Sequence, residues 1–301
     1  MHDAEIAVDD ALARVLIAES FPELGDQELQ RLRTPGTLNS IVRIGDHLAA
    51  RFPLLPVTRA ELDTESAAMS AFAQACAFPA PVPYGLADGG DAFPSAWSVQ
   101  SWVPGRTAHF DEHATSVSLA QDLSLLIRTL RAIDPAGRVF DGRGRGGDLT
   151  DHDEWVAECL ARSAHLLDAP RVAGLWAQLR TLGPAGPDTM SHRDLTPFNL
   201  LVDDRDGRTR LSGVLDGGGF GPADRALDLV VAWHLFDGPA RRVLRDGVGA
   251  DDVEWLRGAA WSLQQALGLG WYYERSNPEM SALGLSTVRR LLADPELAAL
   301  L

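Results

Sequence analysis

The segment that decides the fold runs from His192 to Asn199, reads HRDLTPFN, and is followed by an apolar run and Asp216-Gly217. Transfer of a phosphoryl group from a nucleotide needs an oriented acceptor hydroxyl and cations that neutralise charge on the phosphate oxygens. Asp194 can accept the proton of a hydroxyl, Asn199 can reach a Mg²⁺ ion, and Asp216 can hold the metal from the other side. The order of these side chains indicates phosphoryl transfer.

Two short strands are predicted between this loop and the second aspartate, at 199–202 and 210–215, around the turn-forming run 203–207. Because a hairpin returns the chain to the place it left, we expect it to bring Asp216 beside Asn199. Two oxygen ligands would then converge on one hard cation, and waters and phosphate oxygens would complete the shell of Mg²⁺.

The loop resembles the kinase signature HRDLxxxN, and Asp216-Gly217-Gly218 is a loose form of the DFG that follows it. The alternative, a loop after a buried strand with a capping aspartate, leaves the hairpin and the second aspartate unexplained. Protein kinases carry a long activation segment here, for which this chain has no room. The run LSGVLDGGGFGPADRALDLVVAW, residues 211–233, is similar instead to the aminoglycoside phosphotransferase family of small-molecule kinases.

The resemblance implies an α+β, protein-kinase-like fold with two lobes. The N-terminal lobe, 1–103, is expected to hold an antiparallel sheet with one helix and to bind the nucleotide. The C-terminal lobe, 104–301, is expected to be mainly α and to carry the catalytic and substrate-binding residues. Hydrophobic periodicity agrees, because strand patterns fill 27–52 and 82–103, whereas helical patterns dominate after Pro104 and predict, among others, a helix over 223–237.

The resemblance also implies the nucleotide contacts. Residues 35–53, PGTLNSIVRIGDHLAARFP, resemble the first three strands of the family, with Asn39 and Ser40 in the turn over the phosphates. Arg51 stands where a lysine usually contacts the phosphates, and Glu65 is expected to orient it. The expected cofactors are ATP or GTP and Mg²⁺. Adenine is expected to meet backbone groups of Ser101, Trp102 and Val103.

The chain departs from the family pattern in two places. All 27 basic residues are arginines, so the phosphate-binding lysine is replaced and a P-loop, which requires lysine, is excluded. Biased base composition of the genome explains the missing lysines more simply than mechanism does. Arg193 and Phe198 stand where the family usually has glycine, which makes the loop bulkier beside the acceptor site.

Charge and composition limit the partners. A net charge of −15 disfavours nucleic acid and favours a cationic small molecule, although acidic surfaces are also common in soluble bacterial proteins. The sequence has neither an apolar run of about 20 residues nor a secretory signal, so we expect a cytoplasmic protein without a membrane segment. No obligate protein partner is evident.

The acceptor pocket is the least determined part. Glycines at 142–147 fit GxGxxG but follow no strand, so they are interpreted as an arginine-bearing surface loop, although a comparable region of the family can border the acceptor pocket. Helix packing explains most aromatic residues near the C-terminus, with a pocket wall as the alternative. The candidate acceptor residues are Asp153, Glu154, Glu158, Tyr273 and Glu274.

Together these features predict an ATP- and Mg²⁺-dependent phosphotransferase that acts on a hydroxyl of a small molecule, first of all an aminoglycoside. A macrolide kinase, or a kinase of a metabolite such as choline or homoserine, is the alternative within the same chemistry. An inactive nucleotide-binding regulator is the alternative from another class, suggested by Arg51 and the loose DGG.

Overall fold

The computed structural model describes residues 6–32 and 39–301. The chain forms two compact units. The first unit comprises 1–74, 79–104 and 213–219, and the second comprises 75–78, 105–212 and 220–301.

The first unit is built on one antiparallel sheet, with the strand order β1-β2-β3-β5-β4. Its elements are α1 (Asp10–Ser20), β1 (Leu29–Leu32), β2 (Asn39–Ile44), β3 (Leu48–Pro53), α2 (Arg59–Ala75), β4 (Pro83–Ala87) and β5 (Trp97–Ser101).

Alternation along β3 sends its side chains to opposite faces of this sheet. Ala50 and Phe52 are completely buried in the core beneath α1, where Phe52 stacks on Trp97 with ring centroids 4.7 Å apart. Arg51 lies between them in the sequence and therefore points to the other face. This explains why a charged residue stands in the middle of an otherwise apolar strand.

The second unit is mainly helical. Its strands are β6 (Arg106–Thr107), β7 (Thr189–Ser191), β8 (Leu200–Arg205), β9 (Arg208–Val214) and β10 (Gly221–Ala223). Its helices are α3 (Val117–Arg131), α4 (Asp153–Arg162), α5 (Ala169–Leu179), α6 (Val230–Leu235), α7 (Gly238–Val248), α8 (Asp252–Tyr272), α9 (Pro278–Ala293) and α10 (Pro295–Ala298).

Local sequence signals explain where these helices begin. Asp251 caps α8 by accepting a hydrogen bond from the Glu254 N–H, and Asn277 caps α9 in the same way. Proline occupies the first turn of α5, α7, α9 and α10, where its missing N–H costs nothing. Helix α8 is buried along most of its length and forms the centre of the unit.

The predicted fold class is confirmed, and so is the hairpin, as β8 and β9 with β6 at the edge. One helix was predicted wrongly: a helix was expected over 223–237, but α6 begins only at Val230. The preceding residues form a turn and a short 3₁₀ segment, because Asp224 and Asp228 use their carboxylates for contacts with other segments. No helix in the described parts of the chain has the length and apolarity to cross a membrane.

Candidate active site

A buried carboxylate accepts hydrogen bonds from the backbone at the start of the loop HRDLTPFN. Asp228, only 3% exposed, accepts hydrogen bonds from the backbone N–H groups of His192 (3.0 Å) and Arg193 (3.2 Å) and from the Ser191 hydroxyl (2.9 Å). Strand β7, which leads into the loop, pairs with β10, and Ser191 lies opposite Gly221. The aspartate of the ADRALDL run therefore fixes the backbone that precedes Asp194.

Arg193 occupies a position suited to glycine. Its φ of 72° lies in the left-handed region, which is unfavourable for a residue with a side chain. The side chain compensates by donating to both carboxylate oxygens of Asp141 and to the Arg143 carbonyl, and it lies over the Phe140 ring. These contacts explain how the chain tolerates arginine where the family usually has glycine.

Asp194 is held by three side chains. Its Oδ1 accepts hydrogen bonds from Arg145 Nη2 at 2.8 Å and Gln265 Nε2 at 3.0 Å, and its Oδ2 accepts one from Asn199 Nδ2 at 3.2 Å. The side chain is nevertheless 44% exposed. The carboxylate is thus fixed in direction and still accessible, which a proton acceptor in catalysis requires.

Asn199 has the right orientation for a metal ligand. Its Nδ2 donates to the Asp194 carbonyl at 2.9 Å as well as to the carboxylate, so the amide oxygen is turned the other way. Within the described residues nothing donates to that oxygen. A free amide oxygen is a hard ligand of the kind Mg²⁺ accepts, so the residue fits the implied metal.

In the first unit, Arg51 joins two carboxylates. Its Nη1 lies 2.5 Å from Glu65 Oε1 and its Nη2 lies 3.2 Å from Asp216 Oδ1. The sequence predicted the Glu65 contact, and the structure brings these two residues together. A guanidinium can serve both carboxylates because its donors are spread across a planar fork. Asp216, at a φ of 59°, stays 41% exposed and offers a hard carboxylate ligand that suits Mg²⁺.

The glycines after Asp216 are explained by packing against α2. A Cβ added at Gly217 would come within 2.4 Å of the Phe72 ring, and one at Gly218 would come within 2.4 Å of Glu65 Cγ. The loose DGG therefore reflects side chains of α2 that already fill the space where a DFG phenylalanine would stand.

The predicted phosphate contacts Asn39 and Ser40 lie at the start of a strand. Asn39 and Ser40 are the first two residues of β2, paired with β3, and the Ser40 hydroxyl accepts a hydrogen bond from Arg31. They therefore belong to the strand rather than to the expected turn. The preceding residues 33–38 lie outside the described residues.

The three residues predicted to meet adenine differ in their free backbone donors. The Ser101 N–H donates to the Val82 carbonyl at 2.8 Å, and the Trp102 N–H donates to the His47 carbonyl at 2.7 Å. Val103 makes no backbone hydrogen bond in the part of the chain that the structure describes. Of the three, only the Val103 N–H is available to a base.

The predicted acceptor residues are largely engaged elsewhere. Asp153 accepts hydrogen bonds from Trp176 and Arg180, and the bonds from Arg180 lower its pKa below the usual range. Glu158 pairs with Arg162 one helical turn later on α4, Glu274 pairs with His165, and Tyr273 packs edge-on against Tyr272. Glu154 is exposed. None of the five touches Asp194 or lines the cleft beside it.

The cleft beside Asp194 is basic and has a volume of about 490 Å³. The loop at 142–147 supplies part of it, because Arg145 reaches Asp194 and the Gly146 carbonyl accepts a hydrogen bond from the Asp224 N–H at 2.7 Å. Arg145 therefore contacts the catalytic loop and the buried Gly146 contacts the turn after β10, so the interpretation as a surface loop was wrong for these two residues. The cleft is lined by Arg143, Gly144, Arg145, His152, Trp155, Arg193 and Gln264.

A buried polar chain behind Asp194 was missed from the sequence. Gln265 donates to Asp194, and its Oε1 lies 3.1 Å from Nε2 of the completely buried His234. Because a carboxylate only accepts, Gln265 must turn its NH₂ group towards Asp194 and its oxygen towards a donating His234 Nε2. His234 Nδ1 lies 2.9 Å from the Thr287 hydroxyl oxygen. A histidine inside the apolar run VVAWHLF was the available signal, since a buried polar group needs partners.

This burial predicts a pH dependence of stability. Burial lowers the pKa of His234 from 6.5 to about 4, so the unfolded chain takes up a proton at a higher pH than the folded protein does. The contribution of neutral His234 to the free energy of unfolding is complete above pH 6.5. As the pH falls towards 4, the free energy of unfolding decreases by about 3 kcal/mol. We expect His234→Gln to remove this part of the acid destabilisation, measured by urea unfolding at pH 7 and pH 4.5.

The matched control for that experiment is His47→Gln, which changes an exposed histidine of the first unit. It should keep the wild-type difference in unfolding free energy between the two pH values. An equal difference in the His234→Gln protein would contradict the assignment.

The comparison with known families decides the identity of this fold. Residues 30–261, well over half of the chain, match the phosphotransferase enzyme family APH. This chain belongs to the aminoglycoside phosphotransferase family. The family resemblance seen in the sequence is thereby confirmed.

Three proteins similar to this member of the aminoglycoside phosphotransferase family share between 16% and 27% of its residues in the aligned regions. An aminoglycoside 3′-phosphotransferase of Escherichia coli is 27% identical over 146 residues, which cover 46% of this chain and 52% of that protein. A GDP and kanamycin complex of an APH(2″) enzyme aligns with a TM-score of 0.68 at 16% identity, covering 95% of this chain and 98% of the other. The macrolide 2′-phosphotransferase MphH from Brachybacterium faecium aligns with a TM-score of 0.61 at 17% identity, covering 89% and 97%. At such identities, these structures show a shared fold.

Proposed function

We propose that this protein transfers the γ-phosphoryl group of ATP to a hydroxyl of a small molecule in a Mg²⁺-dependent reaction. The observation that carries the proposal is the accessible, three-fold hydrogen-bonded carboxylate of Asp194 in a loop that matches the kinase signature. Retention of Asn199, with its unused amide oxygen, and of Asp216, which stays 41% exposed beside Arg51, argues against an inactive regulator.

The side chains divide the chemistry between them. Asp194 accepts the proton of the acceptor hydroxyl, and Gln265 and Asn199 keep its two oxygens in place. Asn199 and Asp216 hold the metal, which supplies charge neutralisation on the phosphate oxygens when bound. Their convergence on one cation stays a prediction.

The nucleotide is proposed to contact the first unit. Arg51 has donors beyond those used by Glu65 and Asp216, since a guanidinium carries five N–H groups, and it replaces the usual lysine in contacting phosphate. The Val103 N–H is the donor proposed for the purine ring. We keep Asn39 and Ser40 as proposed phosphate contacts. Because one structural neighbour was solved with GDP, GTP is tested beside ATP.

The acceptor class is proposed from the comparisons. Aminoglycosides come first, because the sequence predicted them, the net charge is −15, and the APH(2″) neighbour was solved with kanamycin. Macrolides come second because of the MphH neighbour. Choline- or homoserine-like metabolites are the third class. A cytoplasmic location follows for an enzyme that uses ATP.

The experiment is a screen of ATP and GTP consumption by the purified protein against aminoglycosides, macrolides and metabolic alcohols, with Mg²⁺ and with EDTA. We expect at least one hydroxyl compound to stimulate Mg²⁺-dependent consumption and to gain a phosphomonoester. Nucleotide binding without consumption for any acceptor would favour the inactive regulator. Growth of a sensitive host on the accepted antibiotic separates antibiotic modification from metabolism.

A further inference from the structure

The basic cleft adjoins Asp194, which does not itself line it. Arg145, one of its lining residues, donates to Asp194 at 2.8 Å, and Arg193, another, directly precedes Asp194 in the chain. A volume of about 490 Å³ is within the range that small-molecule sites occupy. A molecule that presents a hydroxyl to Asp194 can therefore extend into this cleft.

The charge of the cleft is positive. Arg193 is neutralised by Asp141, and Arg145 is paired with Asp194. Arg143 is exposed, and its guanidinium makes neither a hydrogen bond nor an ion pair with any residue that the structure describes. The residues that line the cleft include no carboxylate. Asp141 also interacts electrostatically with Arg143, so three arginines face two carboxylates, Asp141 and Asp194, and one positive charge is in excess at the site.

The other lining residues, His152, Trp155 and Gln264, carry no carboxylate, although the neighbouring Asp151 and Asp153 interact electrostatically with His152. Burial lowers the pKa of His152, which keeps its ring neutral near pH 7, and its Nδ1 lies 3.2 Å from Gln264 Nε2. Trp155 is 38% exposed and offers a flat apolar surface. An ammonium group of the acceptor would meet guanidinium groups here rather than carboxylates.

Two of the carboxylates predicted to bind a cationic acceptor are paired with other side chains. Asp153 is held by Arg180 and Trp176, and Glu274 is paired with His165. Arginine side chains, by contrast, match carboxylates and phosphates through two parallel hydrogen bonds. The residues around Asp194 are complementary to an anion.

We propose that the acceptor is a hydroxyl compound that also carries an anionic group, a carboxylate or a phosphate, bound by Arg143 in the cleft beside Asp194. This inference rests on the proposed function and names the substrate class of the same site. It differs from the cationic acceptor that the net charge favours, and the experiment below decides between the two.

The reaction balances with ATP as the second substrate. The acceptor oxygen forms a bond to the γ-phosphorus while the bond from that phosphorus to the β,γ-bridging oxygen breaks. The hydroxyl proton passes to Asp194 and then to solvent. The products are ADP and a phosphomonoester that still carries the original anionic group.

The test measures the binding of three matched hexoses, glucuronate, glucose and glucosamine, to the nucleotide-free protein. Binding is detected by ligand-observed NMR. They carry an anionic, a neutral and a cationic group on similar rings. We expect glucuronate to bind at least about tenfold more tightly than the other two, since hydrogen bonds between charged groups are worth that factor. Arg143→Gln should abolish the preference. The matched control is Arg208→Gln, which removes an exposed arginine at the start of β9, outside the cleft, and should retain it.

Three results would overturn the inference: tighter binding of glucosamine or kanamycin, no difference or no binding among the three hexoses, or an unchanged preference in Arg143→Gln. Circular dichroism and melting temperature establish that each variant is folded. Turnover separates this inference from the proposed function. A preference for glucuronate without any ATP consumption would support the anion site and refute the proposed phosphotransferase activity. ATP consumption with kanamycin and no preference for the anionic hexose would support the phosphotransferase activity and refute the anion site.

Discussion

Replacement of Asp194 by alanine is expected to lower turnover by about 10²- to 10⁴-fold, the usual contribution of a positioned proton acceptor. The carboxylate is the group of the catalytic loop that is both accessible and fixed by Gln265 and Asn199. Its removal takes away the acceptor for the hydroxyl proton. The affinity for the nucleotide should change little, because the proposed nucleotide contacts lie in the first unit. Steady-state kinetics and a nucleotide-binding titration measure the two quantities.

The matched control for this variant is Asp246→Ala, which removes an exposed carboxylate of α7 in the same unit. It should retain wild-type turnover. Full activity of Asp194→Ala would assign the proton transfer elsewhere, and an equal loss in Asp246→Ala would show a general effect of removing acidic charge.

Asp216→Ala is expected to abolish the Mg²⁺-dependent part of nucleotide binding and to lower turnover by about 10²- to 10³-fold. A metal that neutralises phosphate charge contributes several kcal/mol to a transition state, and each 1.36 kcal/mol is a factor of about ten. The variant also leaves Arg51 with Glu65 alone. The measurement is the thermal shift that ATP produces with Mg²⁺ and with EDTA.

Asp91→Ala, an exposed carboxylate of the first unit, is the control and should keep the Mg²⁺-dependent shift. If Asp216→Ala kept it as well, the metal ligand would be another residue. If Asp216→Ala loses the Mg²⁺-dependent shift while its nucleotide affinity in EDTA and its melting temperature stay unchanged, that result assigns the effect to metal binding and not to damage of the fold.

The features predicted correctly from the sequence are those set by local pattern. The contact of Arg51 with Glu65 was implied by the family resemblance, and alternation in β3 explains why Arg51 points away from the apolar core. The hairpin followed from turn residues between two apolar runs. The start of α6 could not be predicted, because Asp224 finds Arg257 and Trp261 on α8, and such partners override a helical pattern.

The missed parts of the candidate site depend on contacts distant in sequence. Arg145 lies 49 positions before Asp194, and Gln265 lies 71 positions after it. Nothing in the local sequence around either residue points to the catalytic loop. The acceptor prediction counted the charges of the whole chain, whereas the cleft brings together arginines from two separated segments, so the acceptor stays a prediction.

The most direct test of the central claim is ³¹P NMR of the purified protein with ATP and a mixture of hydroxyl compounds, recorded with Mg²⁺ and with EDTA. We predict that one phosphomonoester signal appears with one equivalent of ADP in the presence of Mg²⁺, and that Asp194→Ala and Asp216→Ala suppress it. A signal of equal rate in either variant, or ATP left intact with every acceptor class, would contradict the account.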